Sequence, residues 1–227
     1  MKTSIALFAA CVAAGVASAD TVTVDATYTG IAGGSDATTL KVNGGTYYAG
    51  HMKHNILSGA RSGESFSTFC IDFDETAYRN RTNTYQIVDI ADAPMPGDPY
   101  GDVIAGRINA VVANAAALGW IDNKLQADEN QTDYLAKMGA IQAAIWEAFG
   151  SDVRIGSRRT SNSLETYYNV LTDDATFDSS LRLNGLKAMV ATDQQDMLYV
   201  VPLPPAALAG LGMLGTIAGV RTVRRRK

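Results

Sequence analysis

The hydrophobic period of this chain changes once, near its middle, and that change limits the folds open to it. From 21 to 29 apolar Val22, Val24, Ala26 and Tyr28 alternate with polar partners, the period of two expected of a half-buried strand. Further strands are predicted at 38–42, 46–52, 65–73 and 84–90, with a turn-rich break at 30–36. A loop with three prolines and two glycines follows at 93–101. Beyond it Ile104, Ile108, Val111, Ala115 and Leu118 repeat at spacings of three and four, the stripe of an amphipathic helix that Gly119 ends. A second helix is predicted from an N-cap at Thr132 or Asp133 to Phe149, stopped by Gly150, and a third over 163–171, with a closing strand at 197–201. The expected fold is therefore α+β, a β-rich N-terminal half of barrel or sandwich type with a helical second half.

The two ends of the chain read as handling signals. Met1-Lys2, an apolar stretch over 5–16 and Ala17-Ser18-Ala19 before Asp20 make a secretory signal peptide at 1–19. Cys11 lies inside that stretch with too little apolar sequence before it, and with Phe8 where a lipobox prefers Leu, for an acylated lipoprotein. At 201–227 stand Val201-Pro202-Leu203-Pro204-Pro205, 15 apolar residues over 206–220, and the cations Arg221, Arg224, Arg225, Arg226 and Lys227. A charge-free helix followed by cations should hold those cations on the cytoplasmic side. At 15 residues it is short for a permanent span, which needs roughly 20. This layout resembles the C-terminal sorting signals of the PEP-CTERM class, in the variant that begins Val-Pro-Leu-Pro. The resemblance implies an exosortase-like membrane protease as partner, transient inner-membrane anchoring through the C-terminal helix, and delivery to the cell surface, outer membrane or extracellular matrix. An ordinary tail anchor is the simpler alternative.

The domain left between them, 20–200, differs from the whole chain in charge. The chain has 19 bases and 23 acids; losing Lys2 and the five tail cations leaves 13 bases, a net charge of -10. That excess argues against nucleic acid or anionic lipid as a partner of this domain. Removing Cys11 leaves Cys70 as the one thiol of an exported domain, so no internal disulfide is possible.

Two residues are chemically out of place. Gln142 falls among Leu135, Met138, Ile145, Trp146 and Phe149 on the apolar stripe of the second helix, where a buried amide must find partners or cost about 1 to 3 kcal/mol. On the strand 65–73, Phe69, Ile71 and Phe73 should share one apolar face, turning Cys70 to the other with Thr68 and Asp72. The stretches Phe69-Cys70-Ile71-Asp72 and Gln142-Ala143-Ala144-Ile145-Trp146 resemble those of the thioester domains of bacterial surface adhesins, with Ile141 where that family usually has Thr. The resemblance implies a cross-link between the Cys70 sulfur and the Gln142 side-chain carbonyl, supported by Phe69, Ile71, Asp72, Ile145 and Trp146. It also implies covalent adhesion to a target bearing a nucleophile such as a lysine amine. Such a device acts once, so it is not an enzyme, and it needs no cofactor.

Other readings compete. A noncovalent structural protein of an exopolysaccharide or biofilm matrix predicts a free thiol, and a cysteine hydrolase predicts turnover that depends on Cys70. His51 and His54 stand three apart, on opposite faces of a strand, and are the only histidines, which argues against a metal site. Asp72, Asp74 and Glu75 offer oxygen ligands for calcium, though such clusters are commonly solvated strand ends. The pairs Tyr47 with Tyr48 and Tyr167 with Tyr168 suit sugar stacking or half-buried sheet positions equally.

Overall fold

The computed structural model describes residues 22–73, 75–155 and 162–202. The signal peptide, the tail from Leu203 onward with its apolar run and cations, and Asp74 lie outside the described residues. No helix among the described residues is long and apolar enough to cross a membrane.

The chain runs β1 (Thr23–Ile31), β2 (Thr38–Val42), β3 (Gly45–Ala49), β4 (Met52–Ile56), β5 (Ser65–Thr68), β6 (Thr82–Val88), α1 (Gly101–Ala117), α2 (Tyr134–Ala148), β7 (Val153–Arg154), α3 (Asn162–Thr172), β8 (Leu186–Ala191) and β9 (Gln194–Val200). Six strands form an antiparallel sheet in the order β5-β4-β1-β6-β8-β9, and a second sheet has the order β3-β2-β7. The fold is α+β and sandwich-like. It is not a closed barrel, although one isolated bridge, Cys70 to Met197, ties the segment after β5 to β9.

Helix α2 is the centre of the molecule because it is apolar nearly all round. Met138, Ile141 and Ile145 enter one core with Ile108, Val111 and Val112 of α1 and with Phe69 and Ile71. Ala136, Ala140, Ala143 and Trp146 enter a second core with Val24, Leu40, Phe66, Tyr85, Met189 and Met197. Small alanines on that second side let the strands approach closely. Gly139 shows how closely: a Cβ there would lie 2.8 Å from Leu164 and 2.9 Å from Thr38.

Several expectations are corrected. The helical second half carries two strands beyond the expected closing one, β7 and β8, and the closing strand β9 runs Gln194–Val200 rather than 197–201. The predicted strand 46–52 is two strands of different sheets, broken at Gly50, whose φ of 131° suits glycine alone. The strand 65–73 ends at Thr68, and Phe73 does not share the side of Phe69 and Ile71; it packs with Trp146 in the core that holds Cys70. Leu118 is exposed just beyond the end of α1, and Leu135 is only half-buried. Asp133 precedes α2 in a left-handed conformation without a side-chain capping bond; its carboxylate instead accepts from Tyr167 Oη at 3.0 Å.

Candidate functional site: the Cys70 and Gln142 pair

Cys70 is fixed by its neighbours in the chain. Leu198 N–H donates to the Phe69 carbonyl and Ile71 N–H donates to the Asp196 carbonyl, both at 3.0 Å. Thr68 Oγ1 donates to the Leu198 carbonyl at 2.5 Å, and Tyr100 Oη donates to the Ile71 carbonyl. The aromatic and aliphatic residues flanking the cysteine are buried on the α1 side, so the sulfur is turned to the other side of the strand. In this respect the alternation expected for 69–71 holds.

Gln142 reaches this segment from α2. Its Oε1 accepts the Cys70 N–H at 3.0 Å and its Nε2 donates to the Cys70 carbonyl at 2.8 Å. One side-chain amide thus pairs with both backbone groups of one residue 72 positions away. This is the partner that a glutamine on an apolar stripe requires. The pair is almost wholly buried, Cys70 at 2 % and Gln142 at 1 % exposure. Yet both line a cavity of about 260 Å³, together with Tyr28, Tyr47, Phe73, Glu75 and Trp146 among others.

Cys70 is in no disulfide among the described residues. Its Sγ donates to the Asp72 carbonyl at 2.6 Å and accepts from the Asp72 N–H at 3.3 Å. Burial pushes the thiol up to about 12; the Asp72 backbone bond and the nearby Trp146 indole oppose this, while the charges of Asp72 and Asp196 add to it. Asp196 is itself fully buried, accepting from Met95 N–H at 2.6 Å and Ala191 N–H at 2.9 Å. Burial raises its carboxyl to about 7 against those two bonds, and the charges of Asp72 and Glu75 raise it further. A carboxyl that titrates near neutrality stands in the electrostatic field of a thiol that must lose its proton to react.

The arrangement suits acyl transfer from Gln142 to sulfur. Attack of the Cys70 thiolate on the side-chain carbonyl carbon would place negative charge on Oε1, the atom that already accepts the Cys70 N–H. Collapse would break the bond to Nε2, which leaves as ammonia with the thiol proton, and form a thioester. Trp146, one turn after Gln142, packs against Phe73 at 4.7 Å and walls the cavity, whereas Ile145 anchors the opposite side of α2 in the α1 core.

The other sequence candidates lie elsewhere. His51 stacks on Phe69 and accepts from or donates to Tyr134 Oη at 3.0 Å, while His54 packs on Tyr28 and Phe66 in the other core. Neither ring lines the cavity. Among the described residues no group of three or more His, Cys, Asp or Glu side chains is placed to hold a metal ion. Tyr167 and Tyr168 bind Asp133 and Glu147 through their hydroxyls. One site residue, Asp196, had no sequence signal to single it out, because it sits in a strand that the sequence starts three residues too late. Tyr47 and Tyr48, which in the sequence suit sugar stacking or half-buried sheet positions, both line the cavity.

No curated protein and no solved structure matches the chain. The match to a family model supports a thioester-based covalent attachment function: residues 67–176, which contain both Cys70 and Gln142, carry the sequence pattern of the family described as Thioester domain.

Proposed function

We propose that Cys70 and Gln142 close an internal thioester, and that the exported domain 20–200 uses it once to acylate an amine on a target surface, attaching the cell or its matrix covalently. The observation that carries this reading is the two-point pairing of the Gln142 amide with the Cys70 backbone at 3.0 and 2.8 Å. It holds the carbonyl carbon beside the cysteine and gives the developing oxyanion a donor. The Gln142 carbonyl carbon remains bonded to the target after reaction and the Cys70 thiol is released. No turnover follows, so the domain is an attachment device and not an enzyme. The acidic exported surface favours targets rich in lysine. Export through the signal peptide at 1–19, and removal of the tail after Val201-Pro202-Leu203-Pro204 by an exosortase-like protease, rest on the sequence of the two ends.

Intact mass spectrometry of freshly purified 20–200 tests the bond. The expected mass is about 17 Da below that of the sequence, the ammonia expelled, and methylamine should add about 31 Da at Gln142, leaving the adduct about 14 Da above the sequence mass. Cys70→Ala should show neither change. An unshifted wild-type mass, with one thiol titrating after denaturation, would refute the thioester and favour a noncovalent matrix protein.

A further inference from the structure

Trp146 carries a polar atom that packing alone leaves unused. Its side chain is buried, and its Nε1–H has no hydrogen-bond acceptor among the described residues. Of the described residues that line the cavity, it is the one with a buried side-chain donor left in this way; the amides of Gln142 and Gln195 are both engaged. A buried donor without an acceptor is costly, and one kept beside a reacting group is explained by a state in which the acceptor exists. The indole is held in place by Phe73, which packs on it at 4.7 Å and is itself packed by Phe149 at 5.6 Å between centroids. The Cys70 sulfur belongs to the same cavity wall, and a second donor already reaches it, the Asp72 N–H at 3.3 Å. Gln195 Nε2 donates to the Asp72 carbonyl at 2.9 Å and so fixes the residue that carries this N–H. Burial raises the Cys70 thiol, and the Asp72 backbone bond and the Trp146 indole are the two groups that act against it.

Two N–H groups converging on a sulfur are the chemistry of a cradle for an anion that forms only during reaction. We propose that the Asp72 N–H and the Trp146 Nε1–H bind the Cys70 sulfur as it takes up negative charge, with Trp146 as the leaving-group donor when the thioester opens. This rests on the thioester reading above. The nucleophile's nitrogen attacks the Gln142 carbonyl carbon, the carbon–sulfur bond breaks, and its electron pair goes to Sγ, where the two donors receive it. The thiolate then takes the proton that nitrogen gives up and becomes a thiol, while an amide remains. The same donors hold the thiolate that attacks Gln142 when the bond first closes. The cradle acts on the sulfur and not on the incoming group, so every nucleophile benefits alike.

The test follows opening of the thioester form, with the mass deficit verified beforehand, by methylamine and by hydroxylamine in wild type and in Trp146→Phe. The substitution keeps a ring against Phe73 and removes the N–H. It should slow opening by both nucleophiles about tenfold, the worth of one charge-assisted hydrogen bond in the transition state. In the opened form it should slow alkylation of Cys70 by iodoacetamide at fixed pH by a similar factor, because a smaller fraction of the thiol is ionised. A smaller ring that merely loosens the cavity would admit reagent and water and speed both reactions. Opening or alkylation at or above the wild-type rate, or a loss confined to one nucleophile, therefore overturns the cradle while leaving the thioester standing. A second measurement leaves the fold untouched: biosynthetic replacement of tryptophan by 5-fluorotryptophan, a stronger N–H donor of nearly the same shape, should speed opening of the otherwise wild-type protein. Trp120, the other tryptophan of the chain, does not line the cavity. If Trp146→Phe fails to fold or to close the bond, the labelled protein decides, and unchanged or slower opening there overturns the cradle. Absence of the mass deficit in wild type overturns both readings.

Discussion

Replacing either member of the pair should abolish the cross-link, but the two replacements should not be equally costly to the fold. Gln142 binds only the backbone of Cys70, through its N–H and its carbonyl, and does not depend on the sulfur for either bond. Cys70→Ala therefore keeps both hydrogen bonds and loses a buried sulfur, a change of about 1 to 2 kcal/mol by analogy with small core truncations. Gln142→Ala leaves a buried N–H and a buried carbonyl without partners, at about 1 to 3 kcal/mol each. Water entering from the adjoining cavity brings that cost toward the lower end, and the lost side-chain packing adds to it. The Gln142 variant should then be less stable than the Cys70 variant by about 2 kcal/mol. Neither has the cross-link, so the comparison is free of the stabilisation, on the order of 4 kcal/mol, that closing so long a loop gives wild type by chain-entropy reasoning. Urea unfolding of both variants followed by far-UV circular dichroism measures the difference, provided the slopes agree. Midpoints equivalent to within about 0.5 kcal/mol, or a Cys70→Ala that is the weaker of the two, would refute the backbone pairing as the anchor of Gln142.

Acid should destabilise the domain in a specific window. His51 and His54 are lowered by burial to about 3 and about 4, so from their unfolded value of 6.5 down to about 4 the unfolded chain binds two protons more than the native at these sites. Asp196 opposes them: raised from 3.8 to about 7, it binds a proton in the native state over the same range. The net is one proton, a loss of roughly 1.4 kcal/mol per pH unit between about 6.5 and 4, and Asp196→Asn should steepen it toward two. Unfolding midpoints across that range check this, and a flat wild-type profile contradicts it. Gly139→Ala, with its Cβ 2.8 Å from Leu164 and 2.9 Å from Thr38, should cost about 1 to 3 kcal/mol despite the better helix propensity of alanine, and thermal melting measures it.

Part of the fold was legible in the residues because β1 has one side less buried than the other. The alternation of Val24, Ala26 and Tyr28 is visible since the residues between them are only half-buried. The out-of-place Gln142 and the sulfur side of Cys70 were legible too, because an amide in an apolar stripe and a cysteine between Phe69 and Ile71 are local facts. What failed was whatever depends on distant pairing. β8 is buried on both faces, with Ala188 and Val190 in one core and Met189 in the other, so its apolar run carries no period. β9 begins at Gln194, not 197, because its pairing with β8 starts at Ala191 opposite Gln194, and its buried Asp196 is satisfied by the backbone of Ala191 and of distant Met95. Phe73 changes sides because the strand ends at Thr68, and no local pattern announces that end. The sequence demanded a partner for Gln142; only the fold shows that the partner is the peptide backbone of the cysteine itself.

The bridge between Cys70 and Met197 carries a consequence in time. The cysteine is held by the hydrogen bonds of Phe69 and Ile71 to Leu198 and Asp196, near the end of the folded domain, and by a glutamine 72 positions downstream. A growing chain therefore has all the atoms of the bond well before it has the strand that sets their geometry. On the thioester reading proposed above, ring closure waits for β9, and contacts of such long range form slowly. Ammonia release then works as a clock that starts when the last strand docks. Its rate reports completion of the tertiary fold, and premature acylation of the wrong amine is avoided because an unfinished domain has no electrophile to offer.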